Sequence, residues 1–297
     1  MKEKRKQIIL PFILVSTGFL VIYCSSYWLV FIQLKLFDFH DEIFGLFIPM
    51  AISAFLTWFY FRKKLRLLDM AAKFKEITLF ISFVLLMLPV LTFLFYLDEE
   101  TGELTCLKNV DEILNNKPTM YYSIEMSSQH KEKSRLFVGR GYPGRGNEVG
   151  IGCYYICPLT NEGDNIHNNN IWIGTMFEEK FSNRLLDDKE KQEKLISQFL
   201  DSSAVLYSKY EYKTSFLKRL SNSDVRDDYM KAIQQTNLLH DDGNLIILIE
   251  QEGDYESRAG ASLWWTVFFI ISSNVVWVLL TIFVKLKETK RNTLPKK

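Results

Sequence analysis

The chain has 297 residues, 48% of them hydrophobic, and a formal net charge of +1. So even a balance excludes a broadly basic nucleic-acid-binding surface, and no nucleic-acid partner is expected. The apolar residues are gathered in long runs, which places the chain among membrane proteins and makes the lipid bilayer its first expected partner.

Three of these runs open the chain, at residues 8–34, 43–61 and 77–97. Each reads as a transmembrane helix. The second is short, and a re-entrant or buried segment is its alternative reading. Pro11 and Pro89 lie inside the first and third runs. A membrane helix tolerates proline where a kink or a neighbouring helix satisfies the freed carbonyl. The first run is too long for the apolar core of a cleaved signal, and the bulky Tyr23 before Cys24 does not fit a lipoprotein signal. An uncleaved anchor is expected. The fourth run, 263–284, holds 22 residues without a charge, enough to cross a hydrocarbon core of ~30 Å.

Charge sets the orientation. Residues 2–6, 62–76 and 285–297 together carry 16 basic and 4 acidic residues, a net +12. Residues 98–262 carry 19 basic and 28 acidic, a net −9. The positive-inside rule then puts the N-terminus, the 62–76 loop and the C-terminal tail in the cytoplasm. The expected localisation is the cytoplasmic (inner) membrane, multi-pass, with both termini inside. The expected division is 1–97 for three helices, 98–262 for an extracytoplasmic domain, and 263–297 for the last helix and its basic tail. Leucines and Met70 lie between the cations of 62–76, so this loop suits the inner leaflet as well as a purely topological role.

Within 98–262, β-formers mark strands at 119–127, 135–138, 150–159 and 171–177. The Asn- and Gly-rich stretch 161–170 between the last two reads as a hairpin loop. Asp187 and Glu190 open a helix in which Leu195, Ile196, Phe199, Leu200 and Leu206 recur at helical spacing. A strand is expected over 210–220. Ser221 with Asp224 caps a second helix that presents Val225, Tyr229, Ala232 and Ile233 on one face. Residues 245–249 form a buried strand. The fold class expected is four transmembrane α-helices plus an inserted α+β domain, a mixed or antiparallel sheet with its two helices on one face.

No convergent catalytic set is legible. Gly139-Arg-Gly141-Tyr-Pro-Gly144 matches a dinucleotide fingerprint in letters only, because a strand follows it where a helix is required. Cys153 and Cys157 are four apart on a strand, about 13 Å between Cα atoms and too far for a disulfide. Buried thiols are expected there, with a bridge to Cys106 as the alternative. His40, His130, His167 and His240 lack metal-site spacing among themselves. Glu250 and Glu252 share a strand face as ordinary surface acids. Asn274, polar and deep in the last run, is expected to bond a neighbouring helix. No catalytic, cofactor-binding or metal residue is assigned, and no cofactor is expected.

Several segments carry a resemblance. They are 62–68 after the second run, Thr101-Gly-Glu-Leu-Thr105, Ser182-Asn-Arg-Leu185, and Leu217-Lys-Arg-Leu-Ser-Asn-Ser-Asp-Val-Arg226. In these the chain resembles the N-terminal extension of some bacterial rhomboid-family intramembrane proteases. That family's protease core uses a G-x-S-G serine and a later histidine. Here Gly260-Ala-Ser262-Leu263 breaks the motif, and no histidine follows His240. The resemblance implies a rhomboid-associated accessory region without the protease core, and Ser262 reads as a helix N-cap. The expected function is non-enzymatic: display of an acidic domain for partner or ligand recognition, with a membrane-protein partner such as a protease. The alternative is a membrane-anchored extracytoplasmic hydrolase with an unrecognised site. A transporter is disfavoured, because no run holds an internal charge.

Overall fold

The computed structural model describes residues 2–34, 40–140, 148–163, 170–182, 189–212, 216–235, 245–251 and 253–287. They form two units, a helical one up to Thr101 and from Ala259, and a sheet unit, Gly102–Arg258.

The helical unit has four helices long and apolar enough to cross a membrane: α1 (Lys2–Gln33), α2 (Ile43–Leu65), α3 (Ala72–Glu100) and a last helix containing Ser262–Ile282, called α7 below. Each outruns its uncharged stretch, because backbone hydrogen bonding continues past the last apolar side chain. Near the start of α1, Trp277 of α7 is fully buried, stacks on Phe12 at 4.3 Å and meets Phe61 of α2 edge-on at 5.6 Å. Farther along, Phe19, Leu20 and Cys24 of α1 pack with Val90 and Leu94 of α3. Tyr23 then donates to the Phe44 carbonyl (2.6 Å) and Tyr27 to Asp98 (3.0 Å). Elsewhere apolar side chains face outward, among them Leu14, Ile22, Phe80, Trp264 and Phe268. Asn274 donates to Ile270 of its own helix (2.7 Å) and not to a neighbour. One turn back is simply the closest acceptor.

The three basic segments meet at one end of this unit. Lys4 Nζ donates to the Ile282 carbonyl (2.7 Å), where a cation complements the C-terminal end of α7. Leu68, after α2, pairs antiparallel with Leu286. Asp69 N–H donates to Lys285 O and Lys287 N–H to Leu67 O, both at 2.8 Å.

The sheet unit is a curled mixed sheet. Its elements are β1 (Leu104–Asn109), α4 (Glu112–Asn115), β2 (Tyr121–Met126), β3 (Ser128–Gln129), β4 (Arg135–Arg140), β5 (Glu148–Thr160), β6 (Ile171–Ser182), α5 (Lys189–Lys209), β7 (Phe216–Arg219), α6 (Asp224–Gln234) and β8 (Ile246–Gln251). The strand order is β1-β2-β7-β8-β6-β5-β3, with β4 also on β5. β1 runs parallel to β2 and β6 to β8; the other pairs are antiparallel. The expected hairpin is β5–β6, in register from Glu148↔Ser182 to Pro158↔Trp172. Pro158 has no N–H to give. It falls between the β4 ladder, which ends at Ile156, and the β3 ladder, which begins at Leu159.

The two long helices cover opposite faces of the sheet, not one. Side chains alternate along a strand. Cys153 and Tyr155 of β5 pack with Phe199 and Tyr207 of α5. Tyr154 and Ile156, pointing the other way, pack with Tyr229, Ala232 and Ile233 of α6. β5 is therefore apolar on both faces, the pattern of a sheet buried on two sides. Two further expectations are corrected. The α6 N-cap is Ser223, whose Oγ accepts from Arg226 N–H (3.3 Å), and not Ser221. The inward stripe of α5 runs Phe199-Ser203-Tyr207, so Leu206, about 100° around the helix from Tyr207, is 54% exposed.

Candidate functional site

A group of polar and reactive side chains in the sheet unit lies on the α5 face of β5. Strand alternation brings Cys153, Tyr155 and Cys157 to that face, and all three are buried. The end of α5 and the stretch after it bring Tyr207, Tyr210 and Tyr212. Tyr155 stacks on Tyr207 at 4.3 Å, and its hydroxyl hydrogen-bonds Ser203 Oγ at 3.0 Å. Tyr210 meets Tyr212 edge-on at 5.0 Å and donates to Glu250 of β8 (2.6 Å). From the turn before β4, Lys131 donates to the Tyr210 carbonyl. Its ammonium sits 5.6 Å from the Tyr207 ring centroid and 5.9 Å from that of Tyr212, a cation–π arrangement.

The electrostatics favour neutral forms. Burial pushes the Cys157 thiol up to about 11 and raises Cys153 as well. Tyr207 and Tyr212 are likewise raised, by burial first and by their mutual proximity with Cys157 second. A nucleophilic cysteine needs the opposite shift, since the thiolate is the reactive form. His130 is engaged through both ring nitrogens, with Glu132 Oε1 at 3.0 Å and Thr160 Oγ1 at 2.9 Å. It braces the β3–β4 turn against β5. Burial therefore disfavours the thiolate form of both cysteines.

Of the other sequence candidates, Gly139 and Arg140 end β4, while Gly141–Gly144, His167, His240 and Glu252 lie outside the described residues. All four cysteines are free, with Cys24, Cys153 and Cys157 buried and Cys106 exposed on β1, so the Cys106 bridge does not form. Ser262 is not an N-cap: α7 starts at Ser262 itself, and its Oγ donates back to the Ala259 carbonyl (2.5 Å). The tyrosine cluster escaped the sequence reading, although three tyrosines within six residues, Tyr207, Tyr210 and Tyr212, were its visible signal.

No protein-family model matches the chain, and comparisons with curated proteins and with solved structures also found no match.

Proposed function

We propose that this is a non-enzymatic membrane protein whose four apolar helices cross the cytoplasmic membrane and hold an acidic α+β domain on its outer side. The domain recognises a partner, and a membrane-embedded protease of the rhomboid kind is the partner class that the sequence resemblance favours. The observation that carries the reading is the meeting of the three basic segments at one end of the helical unit, through Lys4 to Ile282 and the Leu68–Leu286 pair. An even number of spans requires all three to lie on one side, and net positive charge selects the cytoplasmic side. In the sheet unit, burial disfavours the thiolate of Cys153 and Cys157, which argues against a cysteine nucleophile there.

The test is purification of the full-length chain in mild detergent, with mass spectrometry of what stays bound. A stoichiometric membrane-protein partner that is lost when residues 102–258 are deleted is the expected result. A lone protein that turns over ester or peptide substrates, and loses that turnover on a point substitution in the sheet unit, would overturn the proposal.

A further inference from the structure

The clasp between residues 66–70 and 285–287 does more than join a loop to a tail. Leu68 and Leu286 turn into the core of the helical unit. Antiparallel alternation then sends their neighbours outward. Leu67, Lys285 and Lys287 are all exposed. Beside them, Lys63, Arg66, Arg5 and Lys6 are exposed, and none of these cations forms an ion pair among the described residues. Two apolar prongs stand within this basic field, Leu67 at 41% and Phe283 at 85% exposure. The guanidinium of Arg62 lies 4.1 Å from the Trp58 ring centroid, and Lys64 lies 5.5 Å from that of Tyr60. Aromatic rings next to cations at a helix end are what the headgroup layer selects.

We propose that this clasp is a docking surface for anionic phospholipid headgroups. The occupant must offer negative charge to Lys63, Arg66, Lys285 and Lys287, and apolar chain to Leu67 and Phe283, at the same time. A phospholipid does both; a nucleic acid or a free anion leaves the prongs in water. The inference rests on the membrane reading above only in that lipid must reach this end of the unit.

The experiment is native mass spectrometry of the full-length chain in detergent, titrated with phosphatidylglycerol or with phosphatidylcholine. The wild-type chain retains phosphatidylglycerol preferentially, and R66Q/K285Q/K287Q loses about fivefold of that preference for each cation removed. K117Q/K180Q, neutralising two exposed lysines of the sheet unit, leaves it unchanged. Millimolar inorganic phosphate does not displace the lipid. Equal retention of both lipids, an unchanged preference in the triple variant, or displacement by phosphate alone would overturn the proposal. Release of the chain from membranes by carbonate would refute the membrane reading instead, and the detergent titration would still decide the headgroup site.

Discussion

Gly174, the fourth residue of β6, tests the layered packing of the sheet unit. It faces Tyr229 of α6, and a Cβ at this position would sit 2.6 Å from Cε1 and 2.8 Å from Cζ of that ring. Ordinary carbon contacts are about 3.5–4.0 Å, so the overlap is roughly 1 Å. The ring has no retreat: Tyr229 is buried and stands edge-on to Tyr154 at 5.4 Å. Gly174→Ala must therefore lift α6 or distort β6, an overpacking cost of ~1–3 kcal/mol. Alanine in an unobstructed strand would instead gain ~0.5–1 kcal/mol over glycine. Shortening the ring should reverse the sign, so in a Tyr229→Leu background Gly174→Ala should be neutral or stabilising, with a coupling of ~1–3 kcal/mol. Pulse proteolysis in urea on the detergent-purified chain measures all four corners of the cycle. Additive effects, or a Gly174→Ala that is harmless with Tyr229 intact, would refute the placement of α6 against β6.

On the opposite face, Phe199 is buried and meets Phe181 edge-on. Phe199→Ala should cost ~3–5 kcal/mol, and Phe199→Asp should abolish protease-resistant domain; normal resistance in the Asp variant would make that face a surface. With the fold intact at pH 8, a maleimide should label Cys106 and spare Cys153 and Cys157. The buried Cys157 thiol ionises in the fold only near pH 11, against ~8.5 in the unfolded chain. Its contribution to stability is therefore complete below about pH 8.5 and is lost as pH rises toward 11, and Cys157→Ala should flatten that part of the melting-temperature profile. Ser262→Ala removes only a bond to the Ala259 carbonyl, so it should shift stability by ~1 kcal/mol or less and change no activity. Loss of a proteolytic activity in that variant, with the chain folded, would contradict the non-enzymatic proposal.

How much of this was readable from the residues follows a physical divide. Apolar runs and alternating strands announce themselves, because burial is written into consecutive side chains; the helices and β5–β6 were read this way. β1 was not, since LTCLKN buries only Leu107 and has no alternation to detect. Which face each helix covers depends on pairings far apart in sequence, β6 with β8 and β2 with β7, so opposite-face coverage was invisible locally. Ser221 was two residues from the true cap because Ser-Asn-Ser offers two equivalent cap residues. The Lys131–tyrosine cluster and the Leu68–Leu286 clasp were hidden for the same reason: each joins segments distant in sequence.

The most direct measurement is which side of the membrane the sheet unit and the start of α3 each face. In a Cys106→Ser background, a single cysteine replaces either Glu162, exposed after β5, or Lys73, exposed at the start of α3. Intact cells expressing each chain are treated with a membrane-impermeant maleimide, with and without permeabilisation. Display of the sheet unit on the outer side predicts labelling of Glu162→Cys in intact cells and of Lys73→Cys only after permeabilisation. The reverse pattern would invert the topology, and labelling of both in intact cells would break the alternation of four spans on which the proposed function stands.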